Sequence, residues 1–66
     1  MNILINGQPM NLDGPLSISD LLERLALEPK KIAVERNLAI VPKSLYSDTA
    51  LCEDDQIEIV QFVGGG

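Results

Sequence analysis

The stretch Ile3-Leu4-Ile5-Asn6-Gly7-Gln8-Pro9-Met10-Asn11-Leu12 decides how this chain begins to fold. Three β-forming residues run into Asn-Gly, a pair that readily takes the positive φ required at both centres of a two-residue type I′ turn. The returning segment alternates polar with apolar, so the stretch is a β-hairpin. Pro9 has no N–H to give to a ladder, which puts the second strand at a sheet edge. A hairpin alone is barely stable in water. The rest of the chain must therefore add strands and cover one face.

Downstream, Asp13-Gly14-Pro15 breaks the hairpin off and leads to a helix start. Ser17 followed by Asp20 fits an N-cap with an acid at the third helical position. Leu16 and Leu21 flank that cap as a hydrophobic staple. Ile18, Leu21, Leu22 and Leu25 fall at i, i+3, i+4 and i+7, a single apolar stripe that must lie on the sheet. Pro29 is expected to end the helix shortly after Leu27. Ile32 to Glu35 reads as a third strand, turning near Asn37 into a short Ile40-Val41 that Pro42 stops. Glu53-Asp54-Asp55 reads as a solvated bend. Gln56 to Val63 is a last, β-rich strand. Strand, strand, helix, strand, short strand, strand builds a mixed sheet of four to five strands with one main helix on one face. The expected class is α+β and the architecture a β-grasp.

Sixty-six residues make one domain, with a thin core. Ten acidic residues against five basic ones, a net charge of −5, leave no cluster of Lys and Arg to neutralise phosphates. Neither nucleic acid nor an anionic membrane is an expected partner; a protein with a basic docking face is. The single cysteine, Cys52, rules out an internal disulfide framework and is expected to be a buried, inert thiol. The opening residues lack a basic leader with a long apolar stretch, so no signal peptide is expected. No run approaches the ~20 apolar residues of a bilayer span. The chain reads as cytoplasmic.

Internal catalysis finds few candidates. The chain has no histidine, the commonest general base. Ser17 and Ser19 belong to the helix start, and the acidic triplet lacks the spacing of a calcium loop. No metal or bound cofactor is expected, and the chain is expected not to be an enzyme. What remains is Gly64-Gly65-Gly66, directly after an apolar strand: residues 1–63 are expected to form the domain and 64–66 a flexible glycine tail. Lacking Cβ atoms, such a run can pass through a channel too narrow for other residues. Three extended residues reach about 10 Å. A carboxylate on Gly66, with a reference pKa of ~3.3–3.7, is an anion near neutral pH and needs no base to act as a nucleophile. Attack on the α-phosphorus of ATP would give an acyl adenylate, and a sulfur nucleophile displacing AMP would leave a thiocarboxylate.

The ending Ile57-Glu58-Ile59-Val60-Gln61-Phe62-Val63-Gly64-Gly65-Gly66 closely resembles the ThiS family of ubiquitin-like sulfur carriers. The segment from Val34 to Ser44, including Ile40-Val41-Pro42-Lys43-Ser44, is similar too, as is Met1 to Gly7. Leu38-Ala39 departs from the pattern, because members often carry more polar turn residues there. The resemblance implies a carrier in thiamine (thiazole) biosynthesis. A ThiF-like adenylyltransferase would adenylate Gly66 with ATP and magnesium. A cysteine desulfurase system would supply the sulfur, and a ThiG-like thiazole synthase would accept it. Gly65 and Gly66 match the family's terminal pair and Gly64 lengthens the arm, so all three would enter a partner's active site.

In the last strand Ile57 and Ile59 share one face, Val60 and Phe62 the other. A regular strand makes Val60 and Phe62 an apolar docking patch on the open sheet face; a bulge would turn Phe62 into the core. The small subunit of molybdopterin synthase uses the same chemistry but carries a proline near its diglycine, and none follows Pro42 here. A ubiquitin-like modifier and a plain binding module are the remaining alternatives.

Overall fold

A computed structural model of the protein describes residues 1–62. The hairpin forms as its sequence dictates: β1 (Asn2–Ile5) and β2 (Gln8–Asn11) pair antiparallel around Asn6 and Gly7, both at positive φ. After helix α1 (Ile18–Arg24) and a 3-10 turn at Pro29–Lys31 come β3 (Ile32–Arg36) and β4 (Ala39–Val41). A second 3-10 turn, Lys43–Leu45, precedes β5 (Gln56–Gln61). The sheet has five strands in the order β2-β1-β5-β3-β4, so Pro9 does lie on an edge strand. β1 and β5 run parallel and side by side; the other pairings are antiparallel. This is the β-grasp arrangement.

Helix α1 opens on a full capping box. The Ser17 hydroxyl accepts from the Asp20 N–H, and the Asp20 carboxylate accepts from the Ser17 N–H. Hydrogen bonding of the Asp20 carboxylate, first to the Ser17 backbone N–H and then to the Ser17 side chain, holds its pKa below the ordinary aspartate value. Ile18, Leu21 and Leu22 are fully enclosed against Ile3, Ile5, Ile32, Val34, Ile57 and Ile59. Each such side chain contributes about 1.5–3 kcal/mol by leaving water.

The helix ends earlier than Pro29, and for a different reason. Ala26 sits in the left-handed region (φ 58°). Its N–H donates to the Glu23 carbonyl (3.1 Å), and the Leu27 N–H reaches back to the Leu22 carbonyl (2.9 Å). That pair of bonds is a Schellman motif, which satisfies the carbonyls of the last turn. Pro29 instead opens the following 3-10 turn, where its fixed φ is tolerated.

Two further expectations are corrected. Cys52 is exposed rather than buried, because its neighbour Leu51 takes the core position. Its Sγ accepts a hydrogen bond from Arg36 Nη2 at 3.3 Å. In the acidic triplet, Glu53 and Asp54 face solvent but Asp55 is only 4% exposed. It turns inward because polar partners surround its carboxylate: Oδ2 accepts from the Cys52 N–H and Arg36 Nε, Oδ1 accepts from Asn37 Nδ2, and the Arg36 charge stands beside it.

Candidate functional site

Of the described residues that the sequence singles out for function, Val60 lies in β5 and Phe62 follows that strand directly. The register of β5 with β3 is unbroken, Ile57 opposite Arg36 through Gln61 opposite Ile32, so no bulge interrupts it. Ile57 and Ile59 are therefore buried under the helix, and Val60 and Phe62 emerge on the open face, each 54% exposed. The regular strand, not the bulge, is what forms.

The register shows which neighbours share that face. Val60 lies opposite Ala33, and Ile40 lies opposite Glu35, which in turn faces Glu58. Exposed Ile40 thus lies on the same open face at the sheet edge, in the rung of Glu35 and Glu58 rather than that of Val60. Sequence reading missed it, although its signal is present: it alternates with the half-buried Val41, which pairs with core Val34. Lys43 holds its ammonium 5.5 Å from the centre of the Phe62 ring, a cation–π contact at the rim of the patch. Glu35 and Glu58 add negative charge beside it.

On the other side of β5, a cleft of about 410 Å³ is lined by Ile5, Asn6, Leu25, Leu27, Ile59 and Gln61. Into it reaches the side chain of Asn6, which the sequence identifies only as a turn residue. Among the described residues no group of three or more His, Cys, Asp or Glu is placed to hold a metal ion. No helix among them is long and apolar enough to cross a membrane. Gly64, Gly65 and Gly66, together with the expected boundary between domain and tail at Val63, lie outside the described residues.

A family model described as the ThiS family matches residues 3–66, which is nearly the whole chain and includes the glycine run. The chain belongs to the ThiS family. Among its relatives is a sulfur carrier protein ThiS from Bacillus subtilis, 52% identical over 50 residues and 76% of each chain. A thiazole synthase from Paramagnetospirillum magneticum is 46% identical over all 66 residues, yet the chain spans only 20% of that relative's length. The crystal structure of a thiamine biosynthesis protein, ThiS from Geobacter metallireducens, superposes over the whole of both chains with a TM-score of 0.86 at 30% identity. Its likeness establishes the β-grasp, with one helix on a mixed five-stranded sheet, as the fold of this ThiS family member.

Proposed function

We infer that the chain is a sulfur carrier of thiamine biosynthesis that acts as a co-substrate of other enzymes, with Gly66 as the residue that is loaded. The observation that carries this is the family match through residue 66, which embraces Gly64-Gly65-Gly66 just beyond the central strand β5. In the loading step a carboxylate oxygen of Gly66 attacks the α-phosphorus of ATP and pyrophosphate leaves. A sulfur nucleophile then attacks the acyl carbon, and AMP departs with the carboxylate oxygen. A ThiF-like adenylyltransferase supplies the ATP site and magnesium. A cysteine desulfurase system supplies the sulfur as a persulfide, and a thiol reductant brings it to the sulfide level of the thiocarboxylate, itself leaving as a disulfide.

The acceptor is a ThiG-like thiazole synthase. Support for this partner comes from the relatives named thiazole synthase that contain a stretch like this whole chain within a longer protein. A carrier segment and an acceptor enzyme joined in one polypeptide meet at high effective concentration. Val60 and Phe62 are the docking residues, and the glycine run enters the partner's active site.

Intact-mass measurement after incubation with ATP, magnesium, a ThiF-like adenylyltransferase and a sulfur source tests the reading. The expected product has one oxygen of Gly66 replaced by sulfur. An unchanged mass, with the same enzyme loading an established carrier in parallel, would refute it.

A further inference from the structure

The central strand outruns its neighbour, and one side chain fills the gap. The Phe62 N–H donates to the Lys31 carbonyl and the Asn37 N–H to the Gln56 carbonyl, both at 2.8 Å. Even-numbered residues of β5 therefore turn their peptide groups to β3, and Ile57, Ile59 and Gln61 turn theirs toward β1. β1 serves the first of these: the Asn6 N–H donates to the Ile57 carbonyl at 2.8 Å. There the main chain of β1 stops, because Asn6 (φ 51°) bends into the hairpin turn. The ladder continues through a side chain instead. Asn6 Oδ1 accepts from the Ile59 N–H at 2.7 Å, and Asn6 Nδ2 donates to the Ile59 carbonyl at 3.2 Å. One carboxamide thus supplies both halves of the missing rung, at the mouth of the cleft formed by Ile5, Leu25 and Leu27.

We propose that Asn6 is a positioning residue for sulfur loading: its carboxamide clamps Ile59 and so holds the β1-side edge of β5, the strand that precedes the glycine run in the sequence, in place. The role rests on the carrier reading above. Only a residue that tolerates positive φ and carries a donor and an acceptor on a short side chain can close the turn and bridge to β5 at once. Glycine would make the turn without the bridge, and aspartate would lose the donor. The docking face is held independently by β3, which pairs with β5 through Gln61. Loss of the clamp therefore frees the β1-side edge of β5 at Ile59 while the β3 pairing that carries the docking face remains.

The test uses Asn6→Gly and Asn6→Asp in the full chain, with Ser17→Ala as a control that weakens the helix cap far from β5. Amide exchange at Ile59 should accelerate about tenfold or more in Asn6→Gly, with Val60 unaffected. In steady-state loading by the adenylyltransferase, kcat should fall about tenfold at unchanged KM, since small misplacements of a reacting group are costly. Asn6→Asp should lie between Asn6→Gly and the parent, and it carries the test if Asn6→Gly fails to fold. Ser17→Ala should lose stability and keep its kcat. Parental kcat in both Asn6 variants, or a kcat loss in Ser17→Ala equal to theirs, would overturn the positioning role. Failure of the parent chain itself to load would instead overturn the carrier reading and the role with it, leaving amide exchange to report the clamp alone.

Discussion

Arg36 and Asp55 meet at 2.9 Å between Nε and Oδ2, joining the end of β3 to the bend that starts β5. Burial pushes the Asp55 carboxyl up, but the Cys52 N–H, Arg36 and Asn37 together outweigh it and hold its pKa below the ordinary aspartate value. A folded-state pKa below the unfolded one means stability that is fully present above the unfolded value and lost as pH falls through the folded one. Urea denaturation at a series of acidic pH values should show stability declining below about pH 4, and Asp55→Asn should flatten that decline. At neutral pH, Asp55→Ala leaves the Cys52 N–H and Asn37 Nδ2 without their acceptor. It should cost about 2 kcal/mol, less than a fully buried pair because Arg36 is partly exposed. A midpoint lowered by about 10 °C is the thermal equivalent in a domain this small.

Ala26 pays a conformational penalty that glycine would not. At φ 58° its Cβ crowds the following carbonyl, yet the position must be left-handed to close the Schellman motif. Ala26→Gly should therefore stabilise the domain by about 1 kcal/mol and raise Tm by about 4–8 °C. Calorimetry decides it: an unchanged or lower Tm would mean that the added freedom of the unfolded chain cancels the relief.

How far a feature can be read from the sequence depends on how far away its partners lie. The hairpin at Asn6-Gly7 and the cap at Ser17 and Asp20 are legible because their partners stand within a few residues. Strand parity alone likewise assigns Val60 and Phe62 to one face. The helix end is easily misread, because Leu25 and Leu27 prolong the apolar stripe and the left-handed residue that stops it is not a glycine. The settings of Cys52 and Asp55 depend on Arg36 and Asn37, in another strand and turn, which no local pattern announces. For Asn6 the partner is 53 positions away, so its turn role is visible in the sequence and its clamp is not.

Leu38 is a second residue without glycine's freedom whose backbone is strained by a turn. Asn37 and Leu38 both have positive φ between β3 and β4, and Leu38 is 85% exposed, so no packing offsets the strain. Asn37 has its own tasks, donating to Asp55 and accepting from the Gln56 N–H. Leu38→Gly should stabilise the domain by about 1 kcal/mol in urea denaturation. The turn adjoins the Arg36–Ile57 end of the sheet, opposite the end where Phe62 emerges, so sulfur loading should be unchanged. A stabilised variant that loads poorly would show instead that Leu38 belongs to a docking surface.

Phe62 offers the most direct test of that surface. Its ring contributes little to the core, being half exposed and touched from outside by Lys43, while its N–H ties it to Lys31. Phe62→Asp should therefore leave Tm within about 2 °C of the parent, as surface substitutions usually do. A carboxylate placed where a partner buries an aromatic ring should raise KM for the adenylyltransferase about tenfold or more. Val60→Asp should act in the same direction, because Val60 shares the face. Loading kinetics measured beside thermal melts separate the outcomes. A folded Phe62→Asp variant with parental KM would remove Phe62 from the docking face, and a collapsed Tm would make the residue structural.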